Sequence, residues 1–193
     1  MTWLTELAQG LRDDAREWCV ERSWIWRAPI LLYLVYAGFR LTIEPRQGTI
    51  FSGITFGIHE LGHVVFSFLG EFIGVAGGSL AQLLAPAAAG LILLRQRDYF
   101  GVAVAGAWLS FSLSELSIYI GDARAQQLDL LGPTSDPLHD WHYLLSTMGL
   151  LKFDGSLAFA TRGLGFVILV GSVGLGIWLL VKMARGRRDE QLF

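Results

Sequence analysis

Long apolar runs alternate with short polar breaks along this chain, and the runs have the length of membrane-crossing helices. Five are expected: Ser23 to Ile43, Thr49 to Val75, Gly78 to Leu94, Tyr99 to Ile120 and Leu157 to Val181. Between them, Glu44-Pro45-Arg46-Gln47-Gly48 reads as a turn and Arg95-Gln96-Arg97-Asp98 as a charged loop. From Gly121 to Asp140 the chain turns polar, with Gly132-Pro133 and Asp136-Pro137 as breakers. Asp136 followed by Pro137 is the pattern of an N-cap and a first helical position, which predicts a short helix near 137–151. Ahead of the first run, Trp3, Leu4, Leu7, Leu11 and Trp18 recur at three- and four-residue steps among Arg12, Asp13, Asp14, Arg16 and Glu17. That periodicity predicts an amphipathic helix over 1–22, lying on a membrane surface or capping the bundle. The expected architecture is all-α: a multi-pass transmembrane helical bundle of about five spans, with 23–193 forming one domain.

Composition supports this class. The chain has 193 residues, is 53% hydrophobic and has a mean hydropathy of +0.47, too apolar for an ordinary water-soluble domain. A net charge of −2 with no basic block argues against nucleic acid as a partner. Cys19 is the only cysteine, so neither an intrachain disulfide nor a cysteine-based zinc site can form. The N-terminus lacks the basic start and apolar run of a cleavable signal peptide. Lys182, Arg185, Arg187 and Arg188 after the last run predict a cytoplasmic C-terminus. With five spans, Arg46, Arg95 and Arg97 fall on that same side and the N-terminal helix on the other.

The chemistry sits inside the second run. His59-Glu60-Leu61-Gly62-His63 is an HExxH motif, and it uses two of the four histidines in the chain. On a helix, His59 and His63 share a face and can hold one Zn²⁺ per chain, with Glu60 beside them as general base. Ionisable side chains are costly in hydrocarbon, which favours a functional reading over simple packing. His59 lies about 13 Å along the helix from Ile50, so the motif is expected well inside the bilayer. Gly53, Gly57, Gly62 and Gly70 on the same run are read as points of close helix approach.

A zinc hydrolase needs a third protein ligand. Glu71 is roughly 12 Å beyond His63 on a continuous helix and is set aside. His139-Asp140-Trp141-His142-Tyr143 holds the two remaining histidines. Either His139 or Asp140 could bind the ion while the other orients an imidazole, and His142 shares a face with His139. The plainer reading is an interfacial helix anchored by Trp141 and Tyr143. Glu115, with Ser114, Ser117 and Tyr119 nearby, is a further ligand candidate. Asp122 could bond a ligand histidine or pair with Arg124. Gln82, one turn before Pro86, could hold substrate backbone or another helix.

With these residues the chain resembles the site-2 protease family of intramembrane zinc peptidases, on the strength of HELGH in a membrane run followed by further runs. That resemblance implies a third ligand that is an aspartate opening a later helix, within an Asn-Pro…Asp-Gly type of sequence. No such sequence is present; Asp140 is the nearest positional counterpart, and Asp154-Gly155 matches the Asp-Gly pair without its context. HELGH, Gly121-Asp122-Ala123-Arg124-Ala125 and His139-Asp140-Trp141 together also look like a group of small bacterial membrane proteins described as peptidase-like. The resemblance implies a zinc metallopeptidase of the bacterial inner membrane acting on a membrane-protein or peptide substrate. The alternative is a metal-binding membrane protein without protease activity, a scaffold or a carrier. No substrate-selecting domain is legible, which leaves membrane geometry or a partner protein to choose the substrate; the expected partners are the lipid bilayer and a homo-oligomer or partner protein.

Overall fold

The computed structural model describes residues 3–20, 22–129 and 138–190, so the breakers at 132–133 and 136–137 lie outside the described residues. Among the described residues there are helices and no strand. In chain order they are α1 (Trp3–Cys19), α2 (Ala28–Ile43), α3 (Ser52–Phe66), α4 (Glu71–Arg95), α5 (Tyr99–Gly121), α6 (Asp140–Thr147) and α7 (Asp154–Glu190).

Among the described residues three helices, not about five, are long and apolar enough to cross a membrane: α4, α5 and α7. The expected first run contracts to α2, a 16-residue helix, and the expected second run is split in two. The split falls at Gly70, whose φ of 98° is a conformation that residues with a side chain rarely adopt. The chain reverses there, so Glu71 opens α4 and does not continue the HExxH helix. Hydropathy cannot register such a reversal, because both sides of it are apolar.

Close contacts give the directions. Gly38 and Gly176 pack on Leu169 and Leu31, so α2 and α7 are antiparallel. Gly165 meets Leu113 and Gly121 meets Ala158, so α5 and α7 are antiparallel too. Gln82 reaches Ser112 and Gly90 meets Ala105, which sets α4 against α5 in the same sense. Helices α3 and α4 form a hairpin whose glycines touch: a Cβ on Gly62 would overlap the carbonyl oxygen of Gly77. Gly53 and Gly57 meet nothing, and Gly70 makes the turn, so of the four glycines expected at close approaches only Gly62 serves one.

Helix α3 starts deep. Ile50 N–H donates to the Tyr33 hydroxyl (2.8 Å), Phe51 stacks on Trp108 (5.7 Å between centroids), and Trp108 Nε1 donates to Thr55 (2.9 Å). From there α3 runs outward to the end where α2 and α5 finish. We call this the proximal end. At the distal end, Ala15, Cys19, Leu31, Tyr99, Phe100, Leu179 and Met183 form one buried apolar cluster. There α1 docks through Ala15 and Cys19 while Trp3, Leu7 and Leu11 stay exposed along one face. Arg97 pairs with Asp14 at 3.5 Å, so the α4–α5 loop shares the distal end with α1 and the end of α7. Arg46 lies instead beside Arg162 at the proximal end, opposite to Arg95 and Arg97.

Candidate metal centre

Three chain segments converge on the HExxH helix: the first turns of α4, the middle of α5 and the start of α6. The four-residue spacing puts His59 and His63 on the buried side of α3, with ring centroids 4.8 Å apart. Glu60 follows on the exposed side, yet ligand-type atoms of His59, Glu60 and His63 lie within 4.8 Å of one another.

Each imidazole is held by its far nitrogen. His59 Nδ1 lies 2.9 Å from Gln82 Oε1. Gln82 Nε2 donates to the Ser112 carbonyl (3.1 Å), which turns the amide oxygen towards the ring and makes Nδ1 the donor. His63 Nδ1 donates to the Gly74 carbonyl (3.0 Å). The buried Gln82 therefore bridges α3 and α5.

With both Nδ1 atoms committed, both Nε2 atoms carry lone pairs in the neutral rings. They aim at one oxygen: Asp140 Oδ2 is 3.1 Å from His59 Nε2 and 3.2 Å from His63 Nε2. Lone pairs facing a carboxylate repel unless a proton or a metal ion lies between them. Ligand atoms about 2.0 Å from a tetrahedral ion stand about 3.3 Å apart, so these separations suit the edges of such a site. The space is kept open by a missing side chain: a Cβ on Gly78 would sit 2.5 Å from His63 Nε2 and 2.6 Å from His59 Nε2. Two imidazoles, one carboxylate and an open flank fit a zinc ion with a free position.

Asp140 arrives at the start of α6. That helix begins three residues later than the Pro137 pattern predicts, and its N-cap is His139, whose Nδ1 accepts the His142 N–H (3.2 Å). His139 Nε2 then carries the proton and donates to Asp122 Oδ2 (3.3 Å), so His139 faces away from the paired imidazoles and orients neither. The Asp140 N–H donates to the Tyr119 hydroxyl (3.0 Å), and Trp141 Nε1 donates to Ser79 (3.1 Å). Burial opposes the charge of Asp140, but hydrogen bonds from the two facing imidazoles, when their Nε2 atoms carry protons, outweigh it and hold the carboxyl below its ordinary range. Burial likewise opposes Asp122, and the N–H groups of Gln127 and Leu128 with the His139 ring lower it overall.

The other sequence candidates stand apart. Glu115 accepts the Ser52 hydroxyl, about two helical turns or 10 Å before His59. His142 Nδ1 donates to the Ala123 carbonyl (2.8 Å). Arg124 pairs with the buried Asp154 at 2.7 Å rather than with Asp122, and that use of Asp154 leaves the Asp154-Gly155 pair outside the centre. Sequence reasoning missed Gly78 and the Gly74 carbonyl, and named Tyr119 only in passing. The Gly77-Gly78 pair four residues before Gln82 was the one available signal.

No protein-family model matches this chain, and no curated protein or solved structure does either.

Proposed function

We propose that the chain is an integral membrane zinc metallopeptidase whose ion is held by His59, His63 and Asp140. The observation that carries this reading is the convergence of two Nε2 lone pairs and one carboxylate oxygen beside Glu60. Bound zinc supplies Lewis acidity, which lets water ionise near neutral pH and polarises a peptide carbonyl. Gln82 and the Gly74 carbonyl fix the imidazoles in the binding tautomer, and Tyr119 with the His139 cap holds the α6 start that presents Asp140. Glu60 takes the proton of the attacking water; the water oxygen bonds to the peptide carbon, the C–N bond breaks, and Glu60 gives the proton to the leaving amine. Glu60 is exposed on the outer face of α3, which leaves a substrate segment free to approach it laterally.

The depth of the centre bears on the substrate. Ser110 donates to the Gly165 carbonyl (2.7 Å), which levels the Ser112–Gln82–His59 layer with α7 only about 4–5 Å past Arg162. Residues 163–181 carry no charge and Arg162 and Lys182 bound them, so Arg162 marks one edge of the hydrocarbon. The bonds in reach thus lie just inside the membrane boundary, shallower than the position of HELGH along an unbroken span suggests.

Helix α1, the end of α7 and Arg97 lie distally, on one side of the membrane if α2 crosses as a fourth pass. That gathers Arg12, Arg16, Arg95, Arg97, Lys182 and Arg185 on one side, which the positive-inside rule assigns to the cytoplasm. The centre then opens on the other face. In intact cells an impermeant maleimide should label Gln47→Cys and spare Gln96→Cys; the reverse pattern contradicts this orientation.

The activity test compares zinc-loaded wild type with Glu60→Gln in proteoliposomes carrying a library of membrane-anchored peptides. The variant should bind zinc and lose about 10²–10⁴-fold in cleavage rate. Wild-type rates in Glu60→Gln, or no zinc-dependent cleavage by the wild type, contradict the proposal.

A further inference from the structure

At the proximal end, away from the metal centre, a cavity of about 580 Å³ is lined by Glu44, Pro45, Arg46, Gln47, Ile118 and Arg162. It joins the α2–α3 turn to the last turn of α5 and to α7.

Its charges do not balance internally. Glu44, the one carboxylate on the lining, is engaged by Arg40 Nη2 at 3.2 Å. Arg162 Nη2 donates only to backbone, to the carbonyls of Leu41 (3.3 Å) and Thr42 (3.4 Å) at the end of α2. Arg46 meets no carboxylate, carbonyl or ring among the described residues. Among the described residues, two guanidinium groups thus line one cavity whose only carboxylate is already engaged by Arg40.

Height in the membrane bears on which anion suits them. Residues 163–181 carry no charged side chain, and they make about 28 Å of helix, close to the roughly 30 Å hydrocarbon thickness of a bilayer. Arg162 at the start of that stretch stands at headgroup level, and so does the cavity it lines. Ile118 and Pro45 give the cavity an apolar wall, and Ile43 beside it is 61% exposed. A group that is anionic at one end and apolar at the other matches this surface.

We propose that the cavity binds the phosphodiester headgroup of a membrane phospholipid, with Arg46 and Arg162 as its two cationic contacts. Guanidinium groups suit this task because their paired N–H donors match the oxygens of a phosphate. The proposal is independent of the metal centre and of peptidase activity. Bound lipid would also tie the α2–α3 turn to α7.

The test is native mass spectrometry of the detergent-purified full chain, titrated separately with phosphatidylglycerol, diacylglycerol and inorganic phosphate. The wild type should retain phosphatidylglycerol and not diacylglycerol. Arg46→Ala should weaken retention about tenfold, as for loss of one charge-assisted contact, with Arg46→Lys in between. Arg46 makes no described contact, so its replacement tests binding without disturbing the end of α2; Arg162→Ala should weaken retention further. Unchanged retention in Arg46→Ala overturns the proposal. So does equal retention of diacylglycerol, or inorganic phosphate held while phosphatidylglycerol is not.

Discussion

The two ends of this bundle are built on opposite principles. At the distal end Leu31, Phe100, Leu179 and Met183 fill space with side chains that need no partner beyond volume. At the proximal end His59, Gln82, Ser112, Tyr119, Asp140, His139 and Asp122 are joined by directed hydrogen bonds, several of them buried. Polar groups buried in this way are costly unless every donor and acceptor is met, and an apolar cluster would hold α3, α4 and α6 together at less risk. On the proposed reading the polar end serves function and the apolar end serves stability. Gly78 shows the difference most plainly: its missing side chain leaves room at two imidazole nitrogens where a packed core would have filled it.

The largest break in this contrast is Gly78→Leu, which puts a side chain into the space at both Nε2 atoms. Zinc binding should fall below detection by elemental analysis while the helical circular-dichroism signal persists; wild-type zinc uptake would mean the ion lies elsewhere. Met183→Ala probes the opposite end, where the side chain is 1% exposed. It should lower unfolding stability by about 2–5 kcal/mol and leave zinc affinity unchanged. A change in affinity there would show that the ends are coupled. Gln82→Ala removes the bond that sets the His59 tautomer, and metal competition titrations should read about 10–100-fold weaker zinc binding. An unchanged titration would reduce Gln82 to a packing role. Smallest of all, Gly53→Ala adds a methyl where no atom lies within 4 Å. Thermal unfolding should move upward slightly, by no more than about 1 kcal/mol, with zinc binding intact.

Much of the distal end was legible in the sequence, because apolar length and periodicity report directly on helices that pack by volume. The run Tyr99 to Ile120 matches α5 to within one residue, while Gly78 to Leu94 is only the later part of α4 and Leu157 to Val181 stops nine residues before the end of α7. The proximal end was harder. A single glycine at φ 98° turned one apolar run into a hairpin, and nothing in hydropathy separates a glycine in a turn from one in a helix seam. His59 and His63 were legible from spacing, since the spacing itself is the helix geometry. Asp140 and His139 were not separable, because which of two neighbours faces inward depends on where α6 begins. That start is set by the His139 cap, which answers to Asp122 across the chain and not to a local pattern.

The proposed zinc ion is shared by α3 and α6, so the zinc content of the detergent-purified protein decides whether it is there. About one zinc per chain should be found in the wild type and lost in both His63→Ala and Asp140→Ala. Zinc retained in Asp140→Ala would move the third ligand elsewhere. A wild-type protein that takes up no zinc even when it is supplied would contradict the account.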